Sequence, residues 1–274
     1  NKYGVDPIIA VKAACHHASR YFLLNNRGAI APGYLADFAV IDNFKDFNVE
    51  MVFKKGVLYW NNGELRDFEA PKIEEYLDKR AHDTFHVSTL TPDDFRDTRR
   101  RGVLGMIPGE IITTDNGYAD HVDLEKDILK IAVVERHKGT HHIGLGYIQG
   151  YGLKSGAVAT SISHDSHNII VVGTNSSDMA FAANYIVEHH GGIVVVENGI
   201  VKGEVVLEIA GIMSDRPLTE VNDQLEAAKA AAFGLGVSRG IDPFMTLSFM
   251  ALPVIPKLRI TTRGVIDVDT QQYV

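Results

Sequence analysis

Residues 161–173, SISHDSHNIIVVG, join a polar cluster to an apolar run, and this junction decides how the second half of the chain is interpreted. Residues 169–172 are all apolar and favour a buried strand. Residues 164–168 supply two histidines, an aspartate and an asparagine directly before that strand. The polar cluster is therefore predicted at an end of a sheet, where ligands are commonly bound.

The segments on either side extend this pattern to a mixed α/β arrangement. The preceding stretch SGAVATSIS, residues 155–163, predicts another strand. Residues 179–190 predict a helix that stops at a pair of glycines. An Asn-Gly pair at 198–199 predicts the turn of a hairpin, and a second Asn-Gly pair at 116–117 predicts another.

The first part of the chain has a different organisation. Asp6 and Pro7 are favourable N-cap and N1 residues and predict a helix that runs to about Phe22. Short strands separated by Lys-Gly and Asn-Gly turns then predict a small β-unit that ends near Leu65. Residues 66–101 are highly charged and are expected to form a solvated connector. The predicted domains are residues 1–65, the connector 66–101 and an α/β domain at 102–274.

Composition and charge exclude several classes of function. The chain has 274 residues, is 45% hydrophobic and carries a formal net charge of −8, which disfavours nucleic acid as a partner because phosphate backbones favour basic surfaces. No run of about 18 apolar residues is present, so neither a transmembrane helix nor a membrane partner is expected. The N-terminus lacks the layout of a signal peptide. The lone cysteine, Cys15, fits a reducing cytoplasm.

His164, Asp165, His167 and Asn168 are the strongest candidates for a functional site. Imidazole and carboxylate groups are common metal ligands and proton carriers, and the H-x-x-H spacing can bring both rings toward one point in a tight loop. A neighbouring carboxylate can also fix the tautomer of an imidazole. The same residues would suit a polar turn whose side chains bond to the backbone, so spacing alone leaves both readings open.

A second cluster, Glu135, Arg136 and His137, follows the apolar run IAVV and is predicted to lie at a strand end. The alternative is a strand that simply emerges into water. The adjacent pair His141 and His142 would point to opposite faces of a strand, so at most one of them would face a given site. The glycines of GLGYIQGYG lack the dinucleotide and P-loop fingerprints, and no G-x-S-x-G nucleophile elbow is present.

Several motifs together resemble the C-terminal part of bacterial-type adenine deaminases: VVERHKGT, GYGLKSGAVATSISHDSHNIIVVGTN, IAGIMSD and DPFMTLSFMALPVIPKLRITTRG. An earlier motif, RGAIAPGYLADFAVID, resembles the closing β-unit of the amidohydrolase superfamily, to which those enzymes belong. The resemblance implies an α/β fold. It would consist of a remnant of an amidohydrolase barrel and its small β-domain, followed by an α/β C-terminal domain with a mixed sheet.

The resemblance also implies an activity. Adenine deaminases hydrolyse adenine to hypoxanthine and ammonia in purine salvage, with a divalent metal pair, iron or manganese, that activates water for attack at C6. The ligands lie on a (β/α)₈ barrel and include an H-x-H pair, which this sequence lacks. We therefore expect an N-terminal barrel region or subunit to supply most of the metal site, and this chain alone to be inactive. Adenine and a second copy of the chain are the other expected partners.

The two polar clusters match the family's His-Asp-Ser-His-Asn and Glu-Arg-His motifs, and we expect them to converge at one site that faces the barrel. There they would orient the purine, shuttle a proton or hold an extra metal ion. The predicted roles are catalytic for His164, Asp165, His167 and Asn168, substrate-binding for Glu135 and Ser214, and metal-binding for His137, His164 and His167.

Two functions of other classes remain open at this point. One is a metal-binding module without catalysis, built on the same three histidines. The other is a dimerisation module that uses the apolar segment FMTLSFMALPVIP, residues 244–256, as its interface. Metal analysis of the chain would test the first, and light scattering would test the second.

Overall fold

The chain divides into two compact units, Asn1–Lys72 and Ile73–Val274. This computed structural model describes residues 4–67 and 71–274, so the parts of the predicted first domain and connector that fall on residues 1–3 and 68–70 lie outside it. Within the described residues, no helix combines the length and the apolar character needed to cross a membrane.

The first unit begins with a nearly continuous helical segment. It consists of α1 (Pro7–Lys12), a π-helical stretch (Ala13–His17) and α2 (Ala18–Tyr21). The Oδ1 atom of Asp6 accepts a hydrogen bond from the backbone N–H of Ile8 at 2.8 Å, which satisfies one of the free donors at the helix start. The helix predicted from Asp6 and Pro7 is confirmed.

A four-stranded antiparallel sheet follows, with each strand paired to the next in the chain. The small β-unit predicted to end near Leu65 is confirmed by these strands. They are β1 (Phe38–Ile41), β2 (Val49–Lys54), β3 (Val57–Asn61) and β4 (Glu64–Leu65).

The second unit is built on an eight-stranded sheet with the order β12-β11-β9-β10-β7-β8-β5-β6. All neighbouring strands are antiparallel except β5 and β8, which are parallel, so the predicted mixed sheet is confirmed. The strands are β5 (Arg101–Met106), β6 (Thr113–Ala119), β7 (Ile128–Val134), β8 (Ile143–Gln149), β9 (Ala157–Thr160), β10 (Ile169–Gly173), β11 (Gly192–Glu197) and β12 (Ile200–Val206).

Both faces of this sheet are covered, which explains why its central strands are apolar on both sides. Alternate residues of β7 pack into two different cores, with Ile131 and Val133 in one and Ala132 and Val134 in the other. One face carries α4 (Ser176–Glu188). The other carries α5 (Leu218–Gly234), α6 (Met245–Met250) and a three-stranded sheet of β13 (Leu258–Thr261), β14 (Gly264–Asp267) and β15 (Gln272–Tyr273).

The charged segment before β5 contributes to one of these cores. It contains α3 (Glu75–His82) and a 3₁₀ helix (Pro92–Phe95). Leu90 and Phe95 are buried in the core beneath α4, and the side-chain amide of Asn184 holds the backbone of Leu90 with bonds of 2.9 and 2.8 Å. This part of the segment therefore differs from the solvated connector expected over residues 66–101. The domain boundaries at 65 and 101 stay predictions.

The two Asn-Gly pairs of the second unit have different structures. The pair at 198–199 forms the turn between β11 and β12 as predicted, and the buried carboxylate of Asp178 accepts the N–H of Gly199 at 2.8 Å. The pair at 116–117 lies inside β6, so the hairpin turn predicted there is wrong. Leu104 pairs with Asp115 and Gly102 with Tyr118, which leaves the Asn-Gly pair in a bulge of the strand.

The apolar segment at 244–256 is largely part of the core. Phe244, Leu247 and Met250 are buried against the eight-stranded sheet, whereas Met245 and Val254 are exposed. Most of the apolar surface expected to form a dimer interface is therefore already covered by the chain itself.

Candidate functional site

The two predicted clusters lie at the same end of the eight-stranded sheet. Strand β7 ends at Val134 and β10 begins at Ile169, and these two residues are paired in the antiparallel register. The loop after β7 (residues 135–142) and the loop before β10 (residues 161–168) therefore start beside each other. The convergence expected for the Glu135 and His164 clusters has a basis in the strand pairing.

Glu135 organises its own loop. Its carboxylate accepts the backbone N–H of His137 at 2.6 Å, that of Lys138 at 2.9 Å and the hydroxyl of Thr140 at 2.9 Å. Burial alone would raise the pKa of Glu135, but these hydrogen bonds more than offset it, and the pKa lies below its ordinary value. Both carboxylate oxygens are engaged in this loop, so the substrate-binding role of Glu135 stays a prediction.

Arg136 joins three segments through one buried guanidinium. It donates to the backbone oxygen of His167, to the backbone oxygen of Thr84 at 3.0 Å and to that of Ala210 at 2.9 Å. The guanidinium carbon also lies 4.2 Å from the centre of the Phe85 ring, within range of a cation–π contact. Burial lowers the pKa of Arg136 to about 10, which leaves the side chain charged at neutral pH. Arg136 therefore fixes the position of the histidine loop.

His137 contacts the histidine loop directly. Its Nε2 atom lies 2.7 Å from the backbone oxygen of Ser166. A carbonyl oxygen only accepts, so Nε2 carries the proton and donates. The structure thus brings His137 to the loop that holds His164 and His167, as the sequence predicted, but through a backbone contact.

His167 occupies the most constrained position of the loop. Its φ of 48° lies in the left-handed region, and its backbone N–H donates to the oxygen of Ser163 at 2.6 Å. Its Nδ1 atom and the hydroxyl of Ser163 are buried without a hydrogen-bond partner in the described part of the chain. Burial lowers the pKa of His167, and the nearby charges of Arg136 and His164 lower it further.

His164 is partly exposed and rests on the helix α6. Its ring stacks on Phe249 with 4.7 Å between centroids, and its backbone N–H donates to the oxygen of Ser248 at 3.1 Å. The Nδ1 atom lies 3.4 Å from the carboxylate of Asp165, which is exposed. His164 and Asp165 therefore present an imidazole and a carboxylate together at the surface of the loop.

The remaining predicted residues have structural contacts. The buried Asn168 side chain accepts the backbone N–H of Arg136 at 3.2 Å and so ties the two loops together. Ser214 lies in the loop after β12, where its hydroxyl donates to Glu208 at 3.2 Å and accepts the N–H of Arg216 at 3.3 Å. No hydrogen bond links Ser214 to the histidine loop among the described residues.

The three histidines do not come together as a metal site in the part of the chain that the structure describes. Among residues 4–67 and 71–274, no three His, Cys, Asp or Glu side chains come together in an arrangement able to hold a metal ion. With the proton on Nε2 donated to the backbone oxygen of Ser166, His137 could offer a metal only its Nδ1 atom. The predicted ligand set of His137, His164 and His167 is therefore not assembled in this structure.

Several residues that build the site have roles that the sequence does not predict. The sequence groups Arg136 only with its neighbours, whereas its contacts with Thr84, Phe85 and Ala210 come from segments far apart in the chain. The stacking of Phe249 on His164 likewise depends on how α6 packs. The position of Arg136 directly after a buried strand is the local signal for its role, because a charge buried there needs hydrogen-bond partners.

Comparison with known proteins identifies the family. The family model for the adenine deaminase C-terminal domain matches residues 110–272, and the amidohydrolase family model matches residues 1–59. Three relatives named adenine deaminase come from Dehalococcoides mccartyi (41% identical), Carboxydothermus hydrogenoformans (adenine deaminase 2, 40%) and Brucella anthropi (43%). The matches cover 98%, 97% and 99% of this chain but 48% of each relative.

The matches therefore extend over both units, and the chain spans about half the length of the curated relatives. The order of the two family models, amidohydrolase first and deaminase C-terminal domain second, is the order that the sequence motifs indicated. The chain belongs to the adenine deaminase C-terminal domain family, whose model matches more than half of its residues.

Proposed function

We propose that this chain is the C-terminal part of an enzyme that hydrolyses adenine to hypoxanthine and ammonia in purine salvage. The observation that carries the proposal is the 40–43% identity to three adenine deaminases over 97–99% of the chain. In this reaction water adds an oxygen to C6 of the purine, the bond from C6 to the amino nitrogen breaks, and ammonia leaves.

The histidine loop is the part of this chain that we assign to the purine. His164 and Asp165 are exposed beside each other, and an imidazole and a carboxylate can together bond to the donor and acceptor atoms at the edge of a purine. His167 would serve as a proton carrier, the usual role of an imidazole in catalysis, and burial lowers its pKa. Asn168 and Glu135 would hold the two loops in place.

The divalent metal that the family resemblance implies, iron or manganese, would be held by a barrel region and not by this chain. The described residues do not assemble a ligand set for it. A barrel region is also the partner that we propose for the helical segment of the first unit, where Ile8, Ile9, Tyr21 and Phe22 are exposed. A second copy of the chain is the alternative partner for these side chains.

A cytoplasmic location is part of the same proposal. Cys15 is a free and exposed thiol, which suits a compartment that keeps thiols reduced.

A fusion that joins the N-terminal half of the Dehalococcoides mccartyi enzyme to this chain tests the role of the loop. We expect His164→Ala and His167→Asn to lower kcat/KM for adenine by about 10²-fold or more, the usual contribution of a positioned acid or base. His142→Ala is the matched control, since His142 is exposed and its side chain has no hydrogen-bond or ion-pair partner in the described part of the chain. Values within twofold of the parent for all three variants would contradict the assignment.

A further inference from the structure

A basic cleft opens beside the first residues of β5 and β8, in the second unit. Its volume is about 590 Å³, which is in the range of small-molecule sites. The segment before β5, the loop before β8 and the turn between β13 and β14 each contribute to its wall. The polar residues that line it are Arg99, Arg101, His141, His142, Thr262 and Arg263.

The positive charges of this cleft exceed the negative charges beside them. Asp97 pairs with both Arg99, at 3.1 Å, and Arg101, at 2.7 Å, so a single carboxylate serves two guanidiniums. Asp94 pairs with the imidazole of His141 at 2.9 Å. The cleft is therefore a local concentration of positive charge on a chain whose formal net charge is −8.

Two of the lining side chains are free to bind a ligand. Neither the guanidinium of Arg263 nor the imidazole of His142 has a hydrogen-bond or ion-pair partner in the part of the chain that the structure describes. Both residues are exposed at the cleft. An unpaired guanidinium beside two paired ones is an arrangement that attracts an anion rather than an apolar molecule.

We propose that this cleft binds the phosphate groups of a small phosphorylated ligand, with Arg263 as the main contact and Arg99 and Arg101 as supporting charges. The planar fork of an arginine matches two phosphate oxygens at once, which an isolated lysine or histidine cannot do. The volume of the cleft accommodates a nucleoside monophosphate as well as inorganic pyrophosphate. The cleft shares His141 and His142 with the loop after β7, but its lining includes none of His137, His164 and His167.

Calorimetric titration of this chain with pyrophosphate, adenosine monophosphate and adenosine tests the proposal. We expect both phosphorylated probes to bind and adenosine to show no heat. Equal affinity for the two phosphorylated probes would mean that the phosphate is recognised alone, and tighter binding of adenosine monophosphate would identify a nucleotide as the ligand. We expect Arg263→Ala to weaken the binding of either probe about tenfold, because one charge-assisted contact is lost.

Arg239→Ala is the matched control, since it removes the same charge from another exposed site in the second unit, where Arg239 lies over the ring of Phe233. It should leave the affinity within twofold of the parent. Circular dichroism would show that both variants fold. Absence of binding at millimolar pyrophosphate and adenosine monophosphate would overturn the proposal, as would equal losses in Arg263→Ala and Arg239→Ala or equal binding of adenosine.

Discussion

At the scale of single residues, Arg136 has the most consequential position in the second unit. Its guanidinium is buried and is surrounded by backbone oxygens of Thr84, His167 and Ala210 instead of a paired carboxylate. Burying a charge is unfavourable unless hydrogen bonds replace its water shell, and these bonds do so. The same bonds hold the loop of His167 against the segment that precedes β5.

Replacing Arg136 with Met should therefore destabilise the chain. The substitution leaves three partly buried carbonyl groups without these donors, at about 1 kcal/mol for each group, the lower end of the usual range. We expect the free energy of unfolding to fall by about 3 kcal/mol in urea denaturation followed by circular dichroism. Arg239→Met, at an exposed position, should change it by less than about 0.5 kcal/mol. Similar values for the two variants would mean that Arg136 does not anchor the loops.

His167 should make the stability of the chain depend on pH. Burial and the charges of Arg136, His164 and His137 lower its pKa in the folded state below the ordinary value of 6.5. As the pH falls through about 6.5, the unfolded chain takes up a proton before the folded chain does. The contribution of His167 to stability is thus greatest above this pH and decreases as the solution becomes acidic.

His167→Asn should weaken this dependence, since asparagine does not titrate and tolerates the positive φ of the position. The measurement is the difference in unfolding free energy between about pH 7.5 and 5.5. The variant should lose less stability over this interval than the parent chain. A loss in His167→Asn equal to that of the parent would show that His167 is not protected from protonation.

At the scale of secondary structure elements, strands β8 and β13 cross at a very close distance. A Cβ atom added to Gly144 of β8 would lie 1.8 Å from the backbone oxygen of Thr261 in β13. A backbone group cannot rotate away as a flexible side chain can, so the three-stranded sheet would have to move. Glycine at this position therefore allows the two sheets to pack together.

Gly144→Ala should lower the free energy of unfolding by about 3 kcal/mol, since overpacking against backbone is costly. Gly234→Ala is the control, since its added Cβ would meet nothing within 4 Å, and it should be neutral or stabilising by up to about 1 kcal/mol. Chemical denaturation of both variants is the measurement. A neutral Gly144→Ala would mean that the two sheets are not packed at this distance.

Elements set by local signals could be predicted from the sequence. The capped helix at Asp6, the strand at β10 and the turn at 198–199 depend on residues next to each other in the chain. The bulge at 116–117 could not be predicted in this way, because it arises from the pairing of β6 with β5. The burial of Phe95 likewise follows from packing beneath α4, which a charged local sequence conceals.

The candidate site could likewise be predicted from the sequence only in part. Strand order brings the clusters of Glu135 and His164 together, and the sequence predicted that convergence. The contact of His137 with a backbone oxygen depends on the conformation of a loop rather than on residue type. The catalytic, substrate-binding and metal-binding roles assigned from the sequence stay predictions.

At the scale of the whole molecule, we expect activity to require a second region that completes the enzyme. The chain spans about half of the adenine deaminases that it matches, and its second unit presents the histidine loop at one end of a sheet covered on both faces. A domain with two well-formed cores can hold a loop rigidly for a substrate bound elsewhere in the protein. We therefore expect this chain to contribute to activity without having it alone.

The most direct test is the release of hypoxanthine and ammonia from adenine by the fusion of the Dehalococcoides mccartyi N-terminal half to this chain. We predict that the fusion forms the two products in equal amounts, and that the N-terminal half alone and this chain alone form neither. A fusion that is folded by circular dichroism yet leaves adenine unchanged would contradict the account, and so would full activity of the N-terminal half without this chain.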